Sequence, residues 1–307
     1  MTEAAFAWHE GETVFHERLG IAERMAEVGS RAIRRFMPDQ HRIFFGQLPF
    51  ILLGSTDRQG RLWASLLAGA PGFVSSPQPQ RLEIDTLPVA GDPLAQALQP
   101  GAPLAVLGIE LPTRRRNRAN GHIVAVDGHG FALQVEESFG NCPKYIVKRD
   151  YRSLAPTVPV TVETIGALDP EARLLIGRSA TFFVASSAGP DRLPDVSHRG
   201  GEPGFVALDR AGTLTVPDYA GNLYFNTLGN LLVNPRAGLL VPDFATGDLL
   251  QLTGTATVEL DSPDVAAHPG AQRLWRFRPE AAQWLRGALR LRFAPGEASP
   301  FSPRVSA

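Results

Sequence analysis

The chain has 307 residues, enough for two domains of ordinary size or one large one, and 44% of them are hydrophobic, enough to bury a full core. Thirty Lys and Arg stand against 31 Asp and Glu, a net charge of −1 that argues against a globally basic nucleic-acid binder. The single cysteine, Cys142, excludes an intrachain disulfide and any multi-cysteine zinc or iron–sulfur site, and fits a reducing cytoplasm.

Met1–Glu12 is acidic and lacks the basic start and apolar core of a signal peptide. From Glu10 to Phe36, Val14, Leu19, Ile21, Met25, Val28 and Ile33 recur at helical spacing, which predicts helices packed on the β unit that follows. The longest nearly uncharged apolar stretch, Ile43–Thr56, is broken by Gln47, Pro49 and Gly54, so no transmembrane helix is expected. Phe50–Ser55 reads as a strand, Asp57–Gly60 as a turn and Arg61–Leu67 as a second strand. Strands are also predicted at Leu104–Glu110 and Asn120–Val126. Tyr151–Glu171, broken by Pro156, Pro159 and Pro170, reads as a linker. Beyond it come a strand at Thr213–Val216 and a helix with Tyr224, Leu228, Leu231 and Leu232 on one face. That helix is N-capped at Gly221-Asn222 and stopped at Asn234-Pro235. Strands Ala237–Pro242 and Leu249–Leu260 follow, and the Pro/Ser-rich tail after Pro295 is expected to fray.

The two halves repeat. Phe50–Ser55 recurs in kind as Phe182–Ser187, Ser65 matches Ser197, and Gly69-Ala-Pro-Gly-Phe-Val74 matches Gly201-Glu-Pro-Gly-Phe-Val206, all at an offset of 132 without a gap. A period this long indicates a duplicated domain. The expected fold is mainly β with helices (α+β): a helical extension at 1–36 and two small barrels in tandem at 37–155 and 156–307.

The most chemically suggestive segment is Asp195–Val206. Ser197 and Arg199 lie two apart, so on a strand they point to one side and offer a hydroxyl and a guanidinium fork to a phosphate. Gly200 and Gly201 allow close backbone approach, and the positive end of the helix near Asn222 suits the same anion. A strand ending in a tight Gly-Gly turn is the plainer alternative. In the run Arg114–Arg118, Arg114, Arg116 and Arg118 share a face if extended and either bind an anion or form a solvated strand or loop. Cys142 and Lys144 flank Pro143, and the cysteine is either activated by the lysine or inert. His198 alternates with Ser197 and Arg199 and is expected to point away from them, while Tyr219 and Tyr224 either pack on a bound ring or in the core. The seven histidines form no metal set and the spacing reveals no general acid/base pair.

Asp195–Val206, Thr213–Asn222 and Asn226–Pro235 together resemble the pyridoxamine 5′-phosphate oxidase-related family of FMN-binding split β-barrels, and Asn141–Ile146 is similar to a recurrent segment of the same group. The resemblance covers roughly 36–293. It implies FMN as cofactor, with Ser197, Arg199, Gly200, Gly201, Asn222, Asn226 and Thr227 around its phosphate and ribityl chain. The family's oxidases carry an Arg-Lys pair near the positions of Asn226 and Thr227; its absence sets this chain apart from pyridoxamine-phosphate oxidation itself. The implied activity is hydride transfer between flavin and a small substrate or NAD(P)H, with storage or sensing of flavin, deazaflavin or haem as the non-catalytic alternative. Copy one has Leu66 and Leu67 where copy two has His198 and Arg199, so it is expected to bind no flavin of its own. Because family barrels place FMN at a dimer interface, copy one is expected to replace the missing subunit. The result is a pseudo-dimeric monomer, with a homodimer as the alternative and neither membrane nor nucleic acid as partner.

Overall fold

The structure, a computed structural model, describes residues 6–156, 158–166 and 168–304. Residues 1–5, Thr157, Ala167 and 305–307, which the predicted domains and linker include, lie outside it. Three helices lead in: α1 (Glu10–Arg18), α2 (Ala22–Ala32) and α3 (Asp39–Gly46). The first sheet is built from β1 (Phe50–Thr56), β2 (Leu62–Ala68), β3 (Val74–Gln78), β4 (Arg81–Ile84), β5 (Pro103–Glu110), β6 (Arg115–Val126) and β7 (Phe131–Gly140), with a one-turn α4 (Leu94–Ala97) before β5. After β8 (Tyr151–Leu154), β9 (Thr161–Ile165) and α5 (Pro170–Arg178) comes the second sheet. Its strands are β10 (Thr181–Ser186), β11 (Asp195–Gly200), β12 (Ala207–Leu208), β13 (Leu214–Tyr219), β14 (Arg236–Pro242), β15 (Leu249–Glu259) and β16 (Ala271–Arg286), with α6 (Asn226–Val233) before β14. A short β17 (Leu291–Phe293) pairs with β8, and β9 pairs with β16.

All pairings within the two sheets are antiparallel, and the strand orders correspond: β2-β1-β5-β6-β7-β4-β3 in the first, β11-β10-β14-β15-β16-β13-β12 in the second. Each sheet wraps round its own core. The period-2 alternation of strands then divides the apolar runs between two interiors. Ile51 and Leu53 face the first core, and Phe182 and Val184 the second. Phe50, Leu52, Phe183 and Ala185 meet in a third cluster between the sheets. Burial on both faces is why Phe50–Leu53 and Phe182–Ala185 are continuously apolar. Glycine lets the sheets approach closely at this seam: a Cβ on Gly54 would sit 3.0 Å from the Asp195 carbonyl, and one on Gly238 would collide with Leu62 O.

Three expectations need correction. The N-terminal helices do not all pack on the first sheet: α1 lies on α6 of the second, where Gly11 and Gly229 meet so closely that a Cβ on Gly11 would overlap the Gly229 carbonyl. Phe15 is buried in the second core, while α3 seals the first with Phe44 and Phe45. The predicted linker holds β8, β9 and the start of α5. Pro170 opens that helix rather than breaking it, and Asp169 caps it by accepting from the Ala172 N–H (2.7 Å). The tail is docked: Lys148 and Glu297 exchange backbone hydrogen bonds, and the buried Ser299 accepts from the Tyr145 N–H (3.1 Å).

Candidate functional site

β11 lies at the edge of the second sheet, and its Ser197 and Arg199 open into a cleft of about 900 Å³, counting space open to solvent. The cleft runs between the sheets. β6 contributes Arg116 and Arg118, and the segment after β7 contributes Asn141, Cys142, Lys144 and Tyr145. From the second sheet come Asp218 and Tyr219, then Asn222, Asn226 and Thr227 around the start of α6, and Arg273 from β16.

Six of the seven predicted site residues therefore share one cavity: Ser197, Arg199, Gly200, Asn222, Asn226 and Thr227. Gly201 is not in its wall; it backs onto Phe205, whose Cγ a Cβ there would meet at 2.5 Å. Gly200 is needed because the Tyr145 carbonyl passes where its Cβ would stand. Asn222 does not cap the helix. Its Oδ1 accepts from the Tyr224 N–H (3.2 Å), and α6 starts only after Phe225, which has φ +58°. Leu223, at φ +66°, is left-handed too. Two such non-glycine residues in three cost about 1–3 kcal/mol each and need support from outside the loop. Here α1 supplies it: His16 Nε2 meets Leu223 O at 2.9 Å, and Phe15 stacks on Phe225 with ring centres 4.5 Å apart.

Cations dominate the cleft. Arg118 donates to both Asp195 and Ser197, and Thr227 Oγ1 donates to Ser197 Oγ (2.9 Å). Asp195 also accepts from Asn120 (3.2 Å) and Asn230 (3.1 Å), so its charge is fully engaged. Arg273 pairs with Asp218 at 2.9 Å. Arg116 and Arg199 have no carboxylate partner among the described residues. Arg116 holds only the Cys142 carbonyl, and burial plus the neighbouring Arg118 and Arg199 push its pKa down to about 9. Burial lowers that of Arg199 as well, with Asp218 opposing. The Nε atoms of Arg118 and Arg199 are buried without partners. Crowded, partly desolvated cations of this kind are costly until an anion joins them.

The basic run is split by the start of β6. Arg114, at φ +60°, turns away to Ile146 O (2.9 Å) and Glu297 (3.1 Å), Arg115 lies over the Phe44 ring, and Arg116 and Arg118 enter the cleft. Spacing alone favours the commoner solvated strand or loop, because only the docking of the two sheets brings Arg116 and Arg118 into the cleft. His198 points mainly to the opposite face, edge-on to Phe183 (5.6 Å), and burial with Arg116 and Arg199 nearby lowers its pKa well below the usual value, keeping it neutral. Tyr219 lines the cleft beside Tyr145 (5.1 Å), its phenol pushed up to about 12 by burial, whereas Tyr224 packs on Trp8.

At the corresponding place in the first sheet the cations are missing. Ser65 donates to Asp92 (2.5 Å) and accepts from Gln251 Nε2 (3.2 Å), and Leu67 is core. Counted from the bulges at Gly121 and Gly254, β15 carries Leu249 and Gln251 where β6 has Arg116 and Arg118.

Behind Asn226 lies a smaller acidic chamber that sequence reading missed, since α1 meets it from more than 180 residues away. Glu12 accepts from Asn226 Nδ2 (2.8 Å) and the His9 N–H (3.1 Å). Burial and the Asp195 charge raise Glu12 to about 8 and Glu137 to about 7. Only the capping-box spacing of His9 and Glu12 marks the helix start in the sequence.

No helix among the described residues is long and apolar enough to cross a membrane. No family model and no curated protein matches the chain. Solved structures do. HutZ, the haem storage protein of Vibrio cholerae, matches at 18% identity and TM-score 0.28 over 39% of this chain and 96% of its own. An FAD-binding protein from Mesorhizobium loti matches at 16% and 0.30 over 41% and 98%. A protein provisionally named a pyridoxamine 5′-phosphate oxidase, from Lactobacillus delbrueckii, matches at 18% and 0.30 over 38% and 94%. Each of these likenesses covers about 40% of the chain.

Proposed function

We propose that the chain is a tandem duplication of two split barrels that binds one FMN in the cleft between them and acts as a flavin-dependent oxidoreductase. The observation that carries the reading is that Arg116, Arg118 and Arg199, drawn from both sheets, line one cleft with Ser197 of β11 and Thr227 at the start of α6. The shared strand order supports the duplication. β2 and β11 correspond at the 132-residue offset, whereas the registers place Leu53 opposite Ser65 and Val184 opposite Ser197, so β1 and β10 correspond at 131 and the gapless match read from the sequence slips by one residue there.

The donor set fits a phosphate dianion. Ser197, Arg199 and Thr227 would hold its oxygens, with the N-terminus of α6 adding its partial positive charge. Arg118, fixed by Asp195, would orient Ser197 and add charge from the other half. Asn222 and Asn226 are placed for the polar chain beyond the phosphate. Bound FMN supplies hydride transfer; the protein's work is to bind it, orient it and shield it from water. Arg116 and Lys144 face the remaining space, where a small substrate or NAD(P)H would enter.

The test is spectroscopic. Purified protein, or apo-protein titrated with FMN, is expected to show flavin absorption and quenched flavin fluorescence, and anaerobic NADPH or NADH is expected to bleach it. Flavin bound but never reduced by nicotinamide or by candidate substrates would favour a carrier. A Soret band with no flavin uptake would replace FMN with haem.

A further inference from the structure

Away from the cationic cleft, a second hollow of about 880 Å³, again counting space open to solvent, lies at the C-terminal end of α5. Leu175, Pro242, Phe244 and Phe293 give it apolar walls, and Arg149 stands among them. The guanidinium carbon of Arg149 sits over the Phe244 ring, 5.0 Å from its centre. Its Nε is buried without a partner, and the guanidinium forms neither hydrogen bond nor ion pair with any described residue. The nearby acid, Asp243, is already engaged: one oxygen accepts from Arg178 (2.5 Å) and the other from the Ala245 N–H (2.9 Å). Burial alone shifts the Arg149 pKa, downward, with no carboxylate opposing it.

A guanidinium carries five N–H donors, and charged donors left unpaired are among the costliest groups to desolvate. Its planar fork matches the two oxygens of a carboxylate, and stacking on a ring leaves the N–H edge free to make that match. Phe244 and Phe293, 5.3 Å apart and edge to face, would accept a flat apolar body beside it. The hollow is of small-molecule size. We propose that it is a binding site for a small aromatic carboxylic acid, gripped through its carboxylate by Arg149 and through its ring by Phe244 and Phe293.

Benzoate is the probe, benzamide its uncharged counterpart, and the full chain saturated with FMN the sample. Saturation-transfer NMR and calorimetry are expected to show benzoate binding, with benzamide about tenfold or more weaker. Arg149→Gln should weaken benzoate by about tenfold or more, and Arg149→Lys by several-fold because the charge stays while the fork goes. Ala245→Trp, at an exposed position on the rim, should block the hollow without touching the arginine and serves if Arg149→Gln does not fold. FMN affinity should be unchanged in the folded Arg149 and Ala245 variants, so this site can fail while the flavin reading stands, and the reverse. No benzoate binding, equal binding by benzamide, or undiminished binding in folded Arg149→Gln or Ala245→Trp would overturn the assignment. So would loss of benzoate in Arg199→Leu, which would place it in the main cleft.

Discussion

Arg199 and Leu67 occupy corresponding positions in the two sheets, and the contrast sets up the sharpest prediction. Arg199→Leu copies a change that the protein already tolerates in its other half, where Leu67 is buried in the first core. The fold should persist, and FMN affinity should fall by about 30- to 1,000-fold, the equivalent of roughly 2–4 kcal/mol. Fluorescence titration of apo-protein measures this, and an unchanged dissociation constant would remove Arg199 from the phosphate site. Glu12 yields a prediction in pH. Its folded pKa of about 8 lies above that of a free carboxyl, so between about pH 4.5 and 8 the unfolded chain has released a proton that the native state keeps. Stability contributed by the neutral carboxyl is therefore complete below that window and lost as pH rises through it, by about 1.4 kcal/mol per pH unit. Buried neutral histidines slope the other way below pH 6.5, so the diagnostic quantity is a difference. Glu12→Gln should gain stability relative to the parent in urea unfolding as pH goes from 5 to 8.5. A constant difference would show that Glu12 is ionised throughout.

At the scale of elements, the contact between α1 and α6 deserves the closest test. Gly11 and Gly229 bring the helix backbones together, and that contact puts Phe15 and His16 on the left-handed loop before α6. Gly11→Ala has no room for its methyl against the Gly229 carbonyl. Overpacking of this kind costs about 1–3 kcal/mol. It should also weaken FMN binding, because the loop that carries Asn222 and Asn226 loses its support. Thermal melts with and without FMN would separate the two effects; a drop in melting temperature with unaltered flavin affinity would mean the loop holds itself. The sequence announces this region only in part. Leu228 and Leu231 mark the buried face of α6, and Asn234 its end. Its beginning was misread because Asn222 looks like a cap, while no local signal says that Leu223 and Phe225 are left-handed. That conformation is stabilised by rings more than 200 positions away, and local propensity carries no trace of such a partner.

For the whole molecule, the cleft depends on both halves being docked, and the expected stoichiometry follows. The place on β2 that corresponds to the Arg199 site holds Ser65, Leu67 and Asp92, and Gln251 faces it from the other sheet. Asp92 is fully buried, its carboxyl pushed up by desolvation, and it brings no positive charge to a phosphate. Purified holo-protein should carry one FMN per chain, measured by flavin absorbance against protein concentration, and should keep it as a monomer in light scattering at low concentration. Two tightly bound FMN per chain, or loss of flavin on dissociation of a dimer, would contradict this. The signal in the sequence for the proposed repeat is the equal spacing of Ser65 and Ser197 and of the two Gly-x-Pro-Gly-Phe-Val segments. The cleft was half legible. β11 carries a recognisable run of residues, but Arg116 and Arg118 become part of the site only through the packing of β6 against the second sheet, a contact that no periodicity encodes.

That packing has a consequence for how such a site can change over time. In an assembly of two identical subunits every codon is read twice, so a change that improves one wall of a pocket also alters the matching wall of its twin. Here Arg118 and Gln251 hold matching posts on β6 and β15 yet are written separately. A substitution on β6 reshapes one face of one cleft and leaves the matching strand β15 as it was. The cation-lined cleft and the cation-free place around Ser65 are thereby free to change independently of each other.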